Sequence, residues 1–228
     1  MNKLNGIIAI AAVLAPFAAA VPASAAPVDL VTNGSFEITS PLSFKSDYAK
    51  HGYGTGNTAN GTGHDKFELG NNPNVDNQTW ISGGDHTTGS GTFMLVDGST
   101  TGTARVWYES FNVVAGQKYT LSAWAENFLN KNNADLHFTI NGTQVGGDLA
   151  LGTAGVWSGL NADWTAGATQ TITFAVVDTQ TASSGNDFGL DDISFKPVPE
   201  ASTVVTFALL AIGGVLTLRK RSKAQANA

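Results

Sequence analysis

The chain has 228 residues, no cysteine and a formal net charge of −6 at neutral pH. Without cysteine there is no disulfide framework, no thiol nucleophile and no thiolate metal site. The acidic balance disfavours nucleic acid and anionic lipid as partners.

In chain order, Lys3 precedes an apolar stretch from Ile7 to Ala20 and the small residues Ala23-Ser24-Ala25. This is the order of a secretory signal peptide over residues 1–25, with cleavage after Ala25 or Ala26. The apolar stretch falls short of the ~20 residues of a spanning helix. Residues 27–196 then make one domain, long enough to bury a core. Its seven basic residues stand against seventeen acidic ones, a net charge of −10, so its surface attracts cations. An exported domain without disulfides must be held by its core, with a metal as one form of help.

From Val28 onward, short runs rich in Val, Thr, Phe, Trp and Tyr alternate with Gly, Asn and Asp, and no helical period is sustained. Strands are expected at Asp29–Thr32, Thr79–Ile81, Thr92–Val96, Arg105–Val113, Lys118–Glu126, Asp135–Ile140, Thr143–Val145, Val156–Trp164, Gln170–Asp178 and Phe188–Phe195. Asn141-Gly142 accepts positive φ at both central turn positions and predicts a tight hairpin. The fold class is all-β, an antiparallel β-sandwich of the jelly-roll kind. Residues 39–78 are rich in Gly, Asn, Thr and Asp and read as a long loop, functional or simply solvated.

Side-chain alternation assigns faces. On Lys118–Glu126, Tyr119, Leu121 and Ala123 point inward, leaving Trp124 and Glu126 outward. On Arg105–Val113, Trp107, Phe111 and Val113 point inward and Tyr108 outward, although Glu109 falls on the core side. On Asp135–Ile140, Leu136, Phe138 and Ile140 point inward and His137 outward. Tyr108, Trp124, Glu126 and His137 are therefore candidates for one polar sheet face that stacks and hydrogen-bonds a carbohydrate ring. The bland alternative covers Trp124 with the long loop of residues 39–78, since aromatics are usually buried. On the last strand, alternation puts Asp191 with Ile193 and Phe195 on the core face. A carboxylate there needs a cation or several donors, and the oxygen-rich surroundings point to calcium.

Four stretches, Leu30–Glu37, Met94–Gly98, Val114–Ala125 and Phe188–Phe195, together resemble the galactose-binding-like jelly roll of several carbohydrate-binding modules. The resemblance implies a structural calcium between first and last strands, held by the carboxylates of Glu37 and Asp191 and the carbonyl of Ser35.

Catalytic signals are weak. Gly89-Ser90-Gly91 is not a nucleophile elbow, and His51, His64, His86 and His137 lack zinc-type spacing. His51 and His64 fall in the long loop, where solvation is the simpler reading than a metal. Asn33-Gly34-Ser35 and Asn141-Gly142-Thr143 read as turns rather than glycosylation sites.

The C-terminal tail begins at Val198-Pro199-Glu200, continues as an apolar helix over residues 203–218 and ends in the basic Arg219-Lys220-Arg221. The basic end stays cytoplasmic by the positive-inside rule. The tail, residues 197–223, resembles a PEP-CTERM sorting signal, with Ala201 where a second proline is usual. That resemblance implies an exosortase-type enzyme as partner, transient membrane anchoring through the helix, and delivery to the cell surface or beyond. A plain C-terminal anchor is the alternative. The expected function is a non-enzymatic protein of the envelope or exopolysaccharide matrix that binds carbohydrate. A structural or adhesion protein without a sugar site, and a secreted hydrolase with a carboxylate pair, are the alternatives.

Overall fold

The computed structural model describes residues 26–54 and 63–199. The expected signal peptide over residues 1–25, together with Glu200 and the rest of the expected sorting tail, including Arg219, Lys220 and Arg221, lies outside the described residues. In chain order the elements are β1 (Ala49–Lys50), β2 (Lys66–Gly70), α1 (Pro73–Asp76), β3 (Phe93–Asp97), β4 (Arg105–Val113) and β5 (Lys118–Asn127). They continue with β6 (Asp135–Ile140), β7 (Thr143–Ala150), β8 (Ser158–Thr165), β9 (Gln170–Asp178) and β10 (Asp187–Pro197).

Two sheets face each other. One has the order β1-β2-β3-β10-β5-β8 and the other β4-β9-β6-β7. Every pairing of named strands is antiparallel except β1 with β2, which is parallel. The core between the sheets is filled by the inward residues of each strand, among them Trp107, Phe111, Leu121, Phe138, Phe174, Phe188 and Phe195. Most of its rings meet edge-on or tilted, as Trp107 with Phe174 at 5.4 Å and Phe138 with Phe174 at 5.1 Å, which suits the aromatic quadrupole, while Tyr119 and Phe195 stack at 4.7 Å. Asn141 and Gly142 both have positive φ, 51° and 77°, as the tight β6–β7 hairpin requires.

Three expectations differ from the structure. Asp29–Thr32 forms no strand, although Leu30 N–H bonds the Phe195 carbonyl at 3.0 Å and Ile193 N–H bonds Gly34 O at 3.0 Å. This segment lies along β10 without the regular spacing of a ladder. Thr79–Ile81 is irregular, because Trp80 N–H turns back to Asn77 O at 2.9 Å. The stretch 39–78 is not one long loop. It supplies β1, β2 and α1, and Lys45 bridges Tyr108 at the edge of β4. Asn72 caps α1, accepting the Asn74 N–H, and Pro73 begins it.

The close passage of Gly34 past β10 makes a testable point. A Cβ at Gly34 would collide with the carbonyl of Ile193. Gly34→Ala is therefore expected to lower stability by about 1–3 kcal/mol through overpacking, measured by urea denaturation. An unchanged midpoint would contradict the close approach.

Candidate functional site

The outer face of the β2-β3-β10-β5 sheet is where polar chemistry gathers. Register places Glu68, Leu95, Gly189 and Glu126 in one row across it. Asp97 and Asp187 are opposite each other in the next row, and Asp191 is opposite Trp124 on the other side. This face is not open to water. A second apolar cluster of Trp80, Phe93, Leu95 and Phe128, flanked by Tyr53, Ile81, Leu129 and Trp157, covers much of it. The segment 71–92, irregular apart from α1, forms the lid. It is tightened by Asp85, whose carboxylate accepts the N–H groups of Thr88 (2.9 Å) and Gly91 (2.6 Å). Against the upward push of burial, these bonds hold Asp85 below its ordinary value.

Asp191 corrects the alternation reading. The pairing of β10 with β5 slips between Asp191 and Ser194, and Asp192 has φ 50°. This bulge lets Ile193 and Phe195 enter the core while Asp191 faces outward with Trp124. Asp191 is nonetheless fully buried beneath the lid. Its oxygens accept N–H groups from His86 at 2.9 Å, Thr87 at 3.4 Å and Asp192 at 2.8 Å. Several donors thus meet the need that alternation raised. Burial still pushes its pKa up to about 7, with the Asp192 N–H opposing the rise.

The four residues expected on one binding face divide between two. Trp124 and Glu126 belong to β5, whereas Tyr108 and His137 belong to β4 and β6 in the other sheet. The strand parities are as expected, but the outward faces of two sheets point away from each other. Trp124 is stacked by His86, with ring centroids 4.0 Å apart and planes at 14°. The His86 Nδ1 lies 2.7 Å from Asp192 Oδ2. Glu126 is buried, with Oε1 lacking a hydrogen-bond partner, and desolvation alone raises its pKa to about 7. On the opposite face the Tyr108 ring carries the Arg105 guanidinium at 3.6 Å. That guanidinium also holds Asp47 through two bonds of 2.9 and 2.8 Å. His137 Nδ1 sits 3.3 Å from Asp148.

A groove that alternation did not find opens at the Asp97–Asp187 row. It holds about 310 Å³ and is walled by His64, Asn77, Thr79, Asp97, Ser183, Ser184 and Asp187, with Leu129 as its apolar patch. Burial raises the Asp187 pKa to about 7, and the charge of Asp97 adds to the rise. The Trp80 indole N–H offsets part of it without closing a hydrogen bond. Asp97 is also raised by burial, against the pull of His64, whose Nδ1 lies 3.5 Å from it. Thr79 Oγ1 donates to Asn77 Oδ1 at 2.8 Å, and Lys131 Nζ to Ser184 Oγ at 2.8 Å, so the walls are fixed. The groove therefore presents preset donors and acceptors beside two closely spaced carboxyls.

Beside this groove, His51, Glu68 and Asp76 bring one ligand atom each to within 4.8 Å of one another. Burial, and then the adjacent Asp76, push the Glu68 pKa up to about 10. Of the residues expected to hold calcium, Asp191 is bound as described. Glu37 is exposed, with a carboxylate oxygen against Gly91, and Ser35 is half-buried. Val198, the first residue of the expected sorting motif, donates its N–H to Lys118 O at 2.8 Å, and its carbonyl accepts from Gln117 Nε2 at 2.7 Å.

No protein-family model and no curated protein matches the chain. Solved structures do. An apo-form cyclase from Fischerella sp. aligns over 77% of this chain and 98% of its own at 13% identity, with a TM-score of 0.50. The CBM22-1 xylan-binding domain from Paenibacillus barcinonensis aligns over 66% of this chain and 94% of its own at 16% identity and TM-score 0.43. The sugar-binding EclA C-terminal domain aligns over 42% and 69% at 23% identity and TM-score 0.38. At 13% identity the likeness to the cyclase is one of fold alone.

The buried carboxyls fix a pH dependence. A carboxyl whose folded pKa exceeds its unfolded value binds more protons when folded, so its contribution is complete below pH ~4 and is lost as pH rises through about 7. Thermal melts are expected to fall between pH 5 and 8. Glu126→Gln, which cannot ionise, should flatten that fall and exceed the parent at pH 8. An identical slope in both proteins would show that Glu126 is not desolvated.

Proposed function

We propose that the domain is a non-enzymatic, jelly-roll carbohydrate-binding module that takes a sugar in the groove at Asp97 and Asp187. The observation that carries this is the wall chemistry of the groove. A sugar presents many hydroxyls, each donor and acceptor, and needs fixed polar partners in a small concavity. Asn77, Thr79, Ser183, Ser184 and the two carboxyls supply them, in a volume of about 310 Å³ that suits one or two sugar rings. The net charge of −10 over residues 27–196 makes neutral or amino sugars the ligand class and opposes uronates. Trp124 is not the stacking platform in this reading, because His86 already occupies its face.

The same proposal places the protein outside the cytoplasm. The signal peptide exports it, the PEP-CTERM-like tail anchors it for an exosortase-type enzyme, and its ligand is exopolysaccharide of the matrix. What supports the tail reading is its residue order, together with the docking of Val198 on β5, which leads the motif directly off the folded domain. Calcium at Ser35, Glu37 and Asp191 enters the proposal as a structural ion on the jelly-roll resemblance alone, since N–H donors already satisfy Asp191. A calcium-selective chelator should then lower the melting temperature, and an unchanged melt removes the ion from the account.

One observation favours a second reading. Asp97 and Asp187 lie side by side, and Asp187 is pushed to about 7, so it keeps a proton to donate near neutrality. That is the acid partner of a hydrolase pair. Binding and cleavage are separated by calorimetry and product analysis on neutral oligosaccharides. Binding without cleavage, weakened about 10- to 100-fold in Asp187→Asn as for a charge-assisted bond, is the expected result. Shortened products lost in Asp187→Asn would establish the hydrolase. No binding to any neutral or amino glycan would leave a structural matrix protein.

A further inference from the structure

We infer that His51, Glu68 and Asp76 form a site for one divalent first-row metal ion of the zinc type, apart from the sugar groove and from the expected calcium position. Glu68 projects from the outward row of β2, and Asp76 ends α1. His51 follows β1 and is fixed by its N–H bond of 2.7 Å to Phe67 O. Three separate elements therefore aim at one point, with their ligand atoms within 4.8 Å of one another.

The two carboxylates are what make this more than an acidic cluster. Glu68 is 1% exposed and Asp76 fully buried, and each keeps one oxygen without a hydrogen-bond partner, Oε2 of Glu68 and Oδ2 of Asp76. Asp76 uses its other oxygen to accept the Gly54 N–H at 3.2 Å. Buried carboxylate oxygens are almost always bonded, and two such groups side by side repel when ionised. A divalent cation answers both demands at once.

The spacing fits as well. His51 Nδ1 lies 3.5 Å from Glu68 Oε2. Ligand atoms about 2.1 Å from a tetrahedral zinc stand ~3.4 Å apart. One imidazole nitrogen with two carboxylate oxygens selects zinc or a neighbouring metal. Calcium is disfavoured, because it takes 6–8 oxygen ligands. Three protein ligands leave a fourth position open, and the half-exposed His51 is the side from which an ion enters. Bound there, the ion ties β2, α1 and the segment after β1 together. That is the kind of staple a cysteine-free exported domain otherwise lacks.

The test uses the full chain, stripped with chelator, loaded with zinc and dialysed. Elemental analysis should find one equivalent retained and a raised melting temperature. His51→Ala and Glu68→Gln should each bind zinc at least about 100-fold more weakly, since loss of a ligand exceeds loss of its supporting shell. His86→Ala should retain the ion. His51 is part-exposed, so its removal leaves the fold intact, as circular dichroism would check. Cobalt in place of zinc should give the visible bands of a low-coordinate site with a nitrogen ligand, lost in His51→Ala. Parent protein that retains no metal, or His51→Ala that retains the same equivalent, overturns the inference.

Discussion

The bulge at Asp192–Ile193 in β10 is the constraint on which the rest depends. β10 lies at the centre of its sheet, paired to β3 on one side and β5 on the other. Before the bulge its outward residues are Asp187, Gly189 and Asp191, and after it Ile193 and Phe195 complete the core. A regular strand would have to choose between burying Asp191 in hydrocarbon and exposing Phe195. One residue at positive φ removes the conflict. The segment around Gly34 then packs against the strand just where it bends.

The outward face that the bulge creates is acidic and mostly dry. Glu68, Asp97, Glu126, Asp187 and Asp191 all lie on it, and all are raised by desolvation. The lid of residues 71–92 contributes apolar weight through Trp80 and Ile81 and polar partners through the His86 and Thr87 amides. Where the lid thins, at Asp97 and Asp187, the face becomes a groove. Where it meets β2, at Glu68 and Asp76, it becomes a cation pocket. Both sites follow from one arrangement: carboxyls held against a sheet by a cover too irregular to pair with them completely.

Much of the fold was legible from the chain. Arg105–Val113, Asp135–Ile140 and Gln170–Asp178 are strands with the expected limits, because β-branched and aromatic residues alternate there without interruption. Glu109 lies on the core side, as alternation expects, opposite Phe174, and its half-burial raises its pKa to about 7. β2 was hidden because Phe67 and Leu69 give only two inward residues in a Gly- and Asn-rich setting. The alternation Phe67-Glu68-Leu69 was nonetheless its signal. The site was less legible. Alternation says which residues share a face of one strand, but not which sheet the strand joins, so it groups Tyr108 and His137 with Trp124 and Glu126 although they belong to the other sheet. Nor does it show that an outward face is covered by a segment with no period of its own. His86, which occupies Trp124, comes from such a segment.

The central claim is that the carboxyls of this outward face are desolvated by the lid. Carbon-detected NMR titration of the side-chain carboxyls in metal-free protein tests it most directly. Asp187, Asp191 and Glu126 are expected to titrate with midpoints near 7. Exposed carboxyls should titrate near the ordinary ~4. If all three titrate with the exposed groups, the face is wet, the lid does not seal it, and the account of both sites fails.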